Sequence, residues 1–165
     1  MPATTPLQSF GALVRHRRKF QWFLLQKLPA AFFAGLRITA LDEASSTVSV
    51  PYKWFTQNPF RSTYFACLAM AAEMSTGILA MAHLYKRRPA VSMLIVAMES
   101  KYFKKAIGKT YFTCTDGEKI QKAIAQAIQQ DTGQTVQVSS RGVNEQGEFV
   151  AEFWFTWSFK PKQKA

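Results

Sequence analysis

The spacing of hydrophobic positions along the chain changes several times, and each change predicts a different element. Apolar residues at helical spacing predict an N-terminal helix over 7–28. Alternating positions predict two short strands, 35–42 and 46–54, joined by a polar turn at 43–45. Over 61–85 nearly every residue is apolar, which predicts a long helix that is enclosed on all sides.

The second half of the chain alternates again and then turns amphipathic. Period-two spacing predicts a long strand over 91–107 and a short one over 109–115. Thr115 and Glu118 match a capping box, so we expect them to open a helix near 117–131. The apolar face of that helix is expected to comprise Ile120, Ala123, Ile124, Ala127 and Ile128.

The chain ends with two predicted strands, 133–143 and 147–159, which form a hairpin around a turn at 144–147. Every second residue of the last strand is apolar and most are aromatic, so these side chains share one face: Phe149, Ala151, Phe153, Phe155, Trp157 and Phe159. This aromatic wall is suited to packing over the long apolar helix.

These elements predict an α+β domain in which an antiparallel sheet of about six strands wraps round the long helix. A length of 165 residues with 48% apolar content is enough for one such domain and a sizeable core. We expect a helical extension over 1–28, the sheet and helix over 29–160, and a solvated basic tail over 161–165.

The N-terminal helix has one apolar face beside the basic run RHRRK, and that face is expected to comprise Phe10, Leu13, Val14, Phe20, Leu24 and Leu28. We expect the helix to dock on the domain, with Trp22 and Phe23 covering the core. A basic amphipathic helix could also lie on a membrane surface.

A formal charge of +11 predicts attraction to polyanions, whether nucleic acid, anionic lipid or a phosphate-bearing ligand. The basic residues are spread along the whole chain, and no aromatic RNP strand or zinc finger accompanies them. We therefore expect no nucleic-acid partner.

The two cysteines, Cys67 and Cys114, stand alone without a CxxC pattern, so neither a disulfide framework nor a metal cluster is predicted. Together with the lack of a secretory signal, this predicts a cytoplasmic location. No Asp or Glu precedes Asp42, and such a lack of acidic residues is typical of a mitochondrial presequence. A mitochondrial location is therefore the alternative for a eukaryotic source.

One carboxylate, Glu73, lies near the middle of the long apolar helix. Burial raises the pKa of a carboxyl group and disfavours its charged form, so a chain that keeps an acid there usually uses it. The structural alternative is a Glu satisfied by a nearby Lys or Arg. The 22 residues over 64–85 could also span a bilayer, but an acid at the bilayer centre costs several kcal/mol and no partner span exists, so we expect no membrane span.

A sheet wrapped round one long helix is similar to the hotdog fold. The segment NPFRSTYFACLAMAAEMSTG, which begins at Asn58, resembles hotdog thioesterases of the phenylacetyl-CoA thioesterase type, where a helix acid follows an Asn by fifteen positions. Asn58 and Glu73 have that spacing. The segment is most similar to an uncharacterised branch, the domains of unknown function related to the C-terminal thioesterase-like domain of an acetyltransferase fusion.

The resemblance places the family's His-Gly-Gly at Tyr64, Phe65 and Ala66, and this chain keeps none of the three. In the family the backbone N–H at the helix start polarises the thioester carbonyl. Phe65 and Ala66 retain that N–H, and Tyr64 could replace the His as a hydrogen-bond donor.

The resemblance implies hydrolysis of an acyl-CoA thioester, with Glu73 as general base or nucleophile and Asn58 orienting the water or the carbonyl. No cofactor is implied beyond the coenzyme A of the substrate. The helix face beside Glu73 is expected to line the substrate pocket through Met70, Thr76 and Gly77. Thr76 could orient Glu73 or simply bond the preceding turn, and the small residues could merely let the helix approach the sheet.

The phosphates of coenzyme A suggest basic contacts, and the candidates are Lys86, Arg87 and Arg88 at the helix exit, or Lys101, Lys104 and Lys105 on the third strand. Other chemistry does not fit: Cys67 and His83 are too far apart along the helix for a Cys-His pair, a hotdog dehydratase would need a His near the acid, and no metal site is predicted.

Two functions from different classes remain open. The first is an acyl-CoA thioesterase that uses Glu73. The second is a non-catalytic hotdog domain that binds an acyl chain or acyl-CoA, or serves as an assembly module. Because the resembling family places its cleft between two subunits, the resemblance also implies a homodimer or a dimer of dimers.

Overall fold

The computed structural model describes residues 10, 11, 14 and 16–162. Its helices are α1 (Arg17–Lys27), α2 (Pro29–Ala34), α3 (Phe65–Leu84) and α4 (Gly117–Gln130), with a short 3-10 turn at Trp54–Thr56. Its strands are β1 (Arg37–Leu41), β2 (Ser46–Val50), β3 (Val91–Tyr102), β4 (Thr110–Cys114), β5 (Gln134–Asn144) and β6 (Phe149–Pro161). These elements confirm the α+β architecture with six strands and one long helix.

The six strands form one antiparallel sheet in the order β1-β2-β4-β5-β6-β3. β5 and β6 pair as the predicted hairpin, with Val138 opposite Phe155 and Gly142 opposite Ala151. β3 pairs with β6 along its whole length and forms one edge of the sheet, while β1 forms the other edge. Because β5 and β6 lie between β4 and β3 in the sheet, the chain crosses two strands as it passes from β3 to β4.

The sheet wraps round α3, because that helix is apolar on nearly every side and has nowhere else to bury its surface. By length and composition α3 is the one helix in the described residues that could cross a bilayer, but 67% of its apolar window is buried in the fold. The predicted aromatic wall is confirmed for Ala151, Phe153, Phe155, Trp157 and Phe159 of β6, which are all buried, whereas Phe149 at the start of the strand is only partly buried.

The N-terminal helix docks on the same core, as predicted, through Phe20 and Leu24, and the ring of Phe10 lies 5.4 Å from that of Tyr85. Of the two residues predicted to cover the core, Phe23 packs against it as expected, whereas Trp22 does not. Trp22 is 61% exposed, because it lies on the outer side of α1, and Leu28 is also exposed, because it ends that helix and leaves its apolar face. Leu13 lies outside the described residues, and the domain boundary at residue 28 stays a prediction.

Two predicted strand ends are wrong. The second strand ends at Val50, since Pro51 follows it and the chain then enters the 3-10 turn. The third strand ends at Tyr102, after which the backbone N–H groups of Phe103 and Lys104 both bond to Val150 and the ladder stops.

The predicted capping box at the start of α4 is also wrong. Asp116 is the N-cap residue, and its carboxylate accepts hydrogen bonds from the backbone N–H and the hydroxyl of Ser139. Glu118 instead pairs with Lys122 one turn further on. Asp116 therefore fastens α4 to β5. The predicted apolar face of α4 is confirmed.

Gly142 on β5 provides a test of the packing between sheet strands. A Cβ atom at this position would lie 2.5 Å from Cε1 of Phe112, whose side chain is fully buried. We expect Gly142→Ala to lower the free energy of unfolding by roughly 1–3 kcal/mol in urea denaturation, because the core is overpacked. Gly133→Ala is the matched control, since a Cβ there meets nothing within 4 Å. Equal effects of the two changes would contradict the packing described.

Candidate active site

The candidate acid lies on the one stripe of α3 that the sheet leaves partly open. Ala66, Ala69, Met70 and Glu73 are only partly buried, whereas the residues from Met74 to Ala80 are all buried. Their spacing of three and four residues puts them on a single face of the helix. Glu73 is thus accessible from one side only.

A cavity of about 220 Å³ opens beside Glu73. Met70 and Met74 of α3 form its floor, and the corner between α1 and α2 forms its roof through Lys27, Leu28, Pro29, Ala30 and Ala31. Pro29 is the first residue of α2, a position where its fixed backbone angle suits a helix start. The turn at Leu28 and Pro29 therefore brings the second helix across the acid.

Gly77, one turn beyond Glu73, leaves room for the carboxylate. A Cβ atom at Gly77 would lie 3.1 Å from Oε1 of Glu73 and 3.5 Å from Cζ2 of Trp157. The carboxylate therefore lies against the helix near Gly77, one turn toward the C-terminal end, and the indole ring of Trp157 borders the same space. The small residue predicted at position 77 is needed there because a larger side chain would crowd the carboxylate of Glu73.

Thr76 does not contact the carboxylate of Glu73. Its hydroxyl donates to the backbone carbonyl of Glu73 at 2.9 Å and accepts a hydrogen bond from Nε1 of Trp157 at 3.0 Å. Of the two roles open for Thr76 in the sequence, the structure shows the bond to the preceding turn. The network fixes the indole ring that lies beside Gly77.

Burial raises the pKa of Glu73 to about 7. Among the side chains that the structure describes, none forms an ion pair or a hydrogen bond with its carboxylate, although Lys27 lines the same cavity. The described residues therefore do not pair Glu73 with a neighbouring Lys or Arg, which was the structural alternative. An unpaired carboxyl group that titrates near neutrality is suited to accepting a proton.

Asn58 organises the turn that precedes α3. Its Oδ1 accepts hydrogen bonds from the backbone N–H groups of Phe60 and Ser62 and from the hydroxyl of Ser62. Arg61 adopts a left-handed backbone conformation with φ of 56° within this turn. The amide nitrogen Nδ2 of Asn58 keeps its donor capacity, since the turn uses only the oxygen.

The start of α3 faces a second and larger cavity, of about 620 Å³. Asn58, Tyr64 and Phe65 line it together with Lys104 and Lys105, which follow β3. Tyr64 is the N-cap residue and caps with no side-chain bond, and the backbone N–H groups of Phe65 and Ala66 have no acceptor within the described residues. These N–H groups are free to bind an anionic oxygen at the positive end of the helix.

The predicted site residues thus fall into two groups within one chain. Asn58, Tyr64 and Phe65 surround the larger cavity, and Met70 and Glu73 surround the smaller one. Eight residues of helix, or roughly 12 Å, separate Phe65 from Glu73. The open stripe of α3 runs between the two cavities.

The basic residues predicted to contact phosphates also lie in different parts of the molecule. Lys86, Arg87 and Arg88 follow the C-terminal end of α3 and line neither cavity. Lys101 stacks over the ring of Trp154. Lys104 and Lys105 line the larger cavity, but Lys104 also pairs with Glu148 on the surface.

The sequence did not indicate the roof over Glu73 or the indole of Trp157 beside it. Both depend on residues far from Glu73 along the chain, so no local pattern connects them with the acid. Among the described residues no group of three or more His, Cys, Asp or Glu side chains could hold a metal ion.

Comparison with known proteins identifies the family and the fold. The family profile of a domain of unknown function, DUF4442, matches residues 16–159. No curated protein matches the chain.

Three solved structures illustrate the fold. A protein of unknown function from Chlorobaculum tepidum superposes with a TM-score of 0.77 at 16% identity, covering 98% of this chain and 100% of that one. A mutant thioesterase from Pseudomonas aeruginosa gives 0.65 at 15% identity, covering 87% and 94%. The PaaI protein from the phenylacetic acid degradation operon of E. coli gives 0.58 at 14% identity, covering 88% and 95%. The predicted hotdog fold is confirmed, and at these identities the likeness concerns the fold alone.

The raised pKa of Glu73 makes stability depend on pH in a defined direction. Because folding disfavours the ionised form, the wild type loses stability as the pH rises from the ordinary value of 4.5 through about 7. We expect Glu73→Gln to be more stable than wild type by roughly 2 kcal/mol at about pH 8, allowing for partial exposure, and equally stable near pH 4.5. Urea unfolding at both pH values measures this.

Glu118→Gln is the control for that comparison, because Glu118 is exposed and its pKa is lowered by the bond from Lys122. It should show no gain in stability at high pH. A Glu73→Gln variant that is less stable than wild type at about pH 8 would show that the carboxylate has a favourable partner.

Proposed function

The chain belongs to the DUF4442 family, and from its hotdog fold we propose that it hydrolyses acyl-CoA thioesters with Glu73 as the residue that activates water. The observation that carries this proposal is the unpaired carboxyl group of Glu73, whose burial beside a cavity raises its pKa to about 7. A group with this pKa is half ionised near neutral pH, which suits a general base.

In the proposed reaction, the carboxylate of Glu73 takes a proton from a water molecule as the water oxygen bonds to the thioester carbonyl carbon. The carbonyl oxygen gains negative charge, and the backbone N–H groups of Phe65 and Ala66 stabilise it; in the shared site proposed below, they belong to a different subunit from the Glu73 that acts on the same thioester. The C–S bond then breaks, and the sulfur leaves with the proton that Glu73 holds. Direct attack by Glu73 on the carbonyl is the alternative route, through an anhydride that water hydrolyses.

Asn58 and Tyr64 are proposed to orient the reacting groups. Because Oδ1 of Asn58 is occupied by the turn, the amide Nδ2 is the atom that can donate to a carbonyl oxygen or to water. Tyr64 is exposed at the cap of α3 and can donate through its hydroxyl. Lys104 and Lys105 line the same cavity and are placed to contact the phosphates of coenzyme A.

We propose that the complete site forms between two subunits, with Asn58 of one subunit facing Glu73 of the other. This accounts for the separation of the two groups within one chain. β3 supports the assembly, because it is a twelve-residue edge strand with exposed apolar side chains at Leu94, Val96 and Met98. An uncovered edge of this kind pairs readily with its own copy, which would give a homodimer or a dimer of dimers.

The second candidate function is a non-catalytic domain that binds an acyl chain or acyl-CoA. The observation that favours it is Phe65, whose side chain is half exposed in contact with Tyr64 where the related thioesterases carry glycine. A phenyl ring at the helix start restricts the approach of a thioester to the free N–H groups. Acyl binding would need only the apolar walls of the two cavities.

We also propose a cytoplasmic location, or a mitochondrial one for a eukaryotic source. Cys67 and Cys114 are both buried free thiols, which is the state expected in a reducing compartment.

Hydrolysis across a panel of acyl-CoA esters tests the function. We expect Glu73→Gln to lower kcat by about 10²–10⁴-fold, because the amide cannot accept the proton of water. Glu118→Gln, an exposed acid on α4, is the control and should keep the wild-type rate. If no ester is hydrolysed by wild type while acyl-CoA still binds, the non-catalytic function holds.

The pH dependence of the reaction gives an independent test. The base must be ionised, so kcat/KM should fall about tenfold per pH unit below the pKa of about 7 and level off above it. A profile that is flat between about pH 5 and pH 8 would argue against Glu73 as the base.

Mixed dimers test the shared site. Asn58→Ala and Glu73→Gln should each be inactive alone, but a random mixture of the two chains should recover about one quarter of the wild-type sites, since half the dimers then hold one intact site of two. If the mixture, refolded together, stays inactive although sedimentation shows dimers, Asn58 and Glu73 do not act across a subunit boundary.

A further inference from the structure

An exposed aromatic ridge lies on the outer surface of α1, α2 and the 3-10 turn. We define it as Trp22, Phe33, Trp54 and Phe55, of which Trp54 is 82% exposed and Trp22 is 61% exposed. The rings of Phe33 and Phe55 are 6.2 Å apart, and Phe32, which touches Phe33, shares a cavity of about 410 Å³ with Trp22. Trp54 directly precedes Phe55 in the 3-10 turn, so the four exposed rings lie in one region of the surface.

The ridge is surrounded by positive charge. Between residues 16 and 64 the chain has seven Lys and Arg residues but only two acids, Asp42 and Glu43. The exposed basic side chains on the elements of the ridge are Arg18, Lys19, Lys27 and Lys53. Both acids lie in the turn between β1 and β2, where the backbone of Glu43 bonds to His83 at the far end of α3.

We propose that the aromatic ridge docks the protein on an anionic lipid surface. Trp and Phe side chains partition into the boundary between headgroups and acyl chains, while neighbouring Lys and Arg side chains bind the headgroup phosphates. The docking is peripheral and uses no membrane-spanning segment.

Charge and shape favour lipid over the other two candidate partners. A second copy would bring two ridges of the same sign together, which repel each other. A nucleic acid would also gain from the basic side chains and the exposed rings, but the exposed aliphatic side chain of Leu28 beside the ridge adds to binding only where it enters an apolar phase, as it does in lipid. The proposed subunit contact through β3 uses a different part of the molecule.

Docking also orients the candidate site. Lys27 and Leu28 border the ridge and form part of the roof over Glu73, so the docked protein presents that cavity at the lipid surface. This consequence rests on the proposed function, whereas the docking itself does not.

Vesicle sedimentation of the full chain tests the proposal. The probes are vesicles of pure phosphatidylcholine and vesicles that also hold roughly a quarter phosphatidylglycerol, a content that gives a negative surface. We expect binding to the anionic vesicles at least about tenfold tighter than to the neutral ones, and weaker binding as salt is added. The fluorescence of Trp22 and Trp54 should shift to the blue on binding and be quenched by brominated lipid.

Two double variants and a control separate the contribution of the aromatic rings to binding from that of the basic side chains. Trp22→Ser with Trp54→Ser, and Lys19→Glu with Lys53→Glu, should each weaken binding by about tenfold or more. Lys160→Glu with Lys162→Glu changes the net charge by the same amount at the exposed end of β6 and should leave binding within about twofold. Circular dichroism confirms that each variant is folded.

Three outcomes would overturn the proposal. The first is equal binding to neutral and anionic vesicles. The second is a control that weakens binding as much as the ridge variants, which would mean that net charge alone attracts the protein. The third is a ridge variant that changes the oligomeric state in sedimentation velocity, or its affinity for a single-stranded oligonucleotide, without changing vesicle binding. Because no substrate is present, Glu73→Gln should bind vesicles like wild type whether or not hydrolysis occurs.

Discussion

The enclosure of α3 by the sheet is the constraint on which the rest of the structure depends. A helix of this length can be buried only if its side chains are small where the sheet comes close, and Ala71, Ala72, Gly77 and Ala80 are fully or almost fully buried. The same small residues leave little side-chain bulk around Glu73. The packing that makes the fold stable therefore also creates the space in which a carboxyl group can act.

The open stripe of α3 explains why the N-terminal helices matter. A sheet that curves round a helix cannot close on all sides, and the remaining gap would expose Met70 and Glu73 to water. The corner of α1 and α2 covers this gap with Leu28 and Ala31. It thereby desolvates the acid, which is the physical cause of its raised pKa. The extension is thus part of the site and not merely an appendage to the fold.

Much of the fold followed from periodicity, because burial on one face or on all faces leaves a regular mark in the sequence. The aromatic wall of β6 and the apolar face of α4 are predicted from such regular patterns. Glu73 stands out because it is a single charge within an apolar run. Features set by contacts between distant residues left no such mark. The bond between Asp116 and Ser139 is of this kind, since the two residues are 23 positions apart and no local pattern connects them. The roof at Leu28 and the indole of Trp157 were missed for the same reason.

The energetics of Glu73 bear on the choice between the two functions. An unpaired carboxyl group in this position destabilises the folded chain once it ionises, since burial raises its pKa well above the ordinary value. Gln would fit the same space without that penalty. A domain that only bound acyl chains would gain nothing from the acid, because apolar walls suffice for that purpose. A hydrolase would need it, since water must lose a proton as it attacks, and the desolvation that weakens the fold is what brings the pKa close to neutral pH.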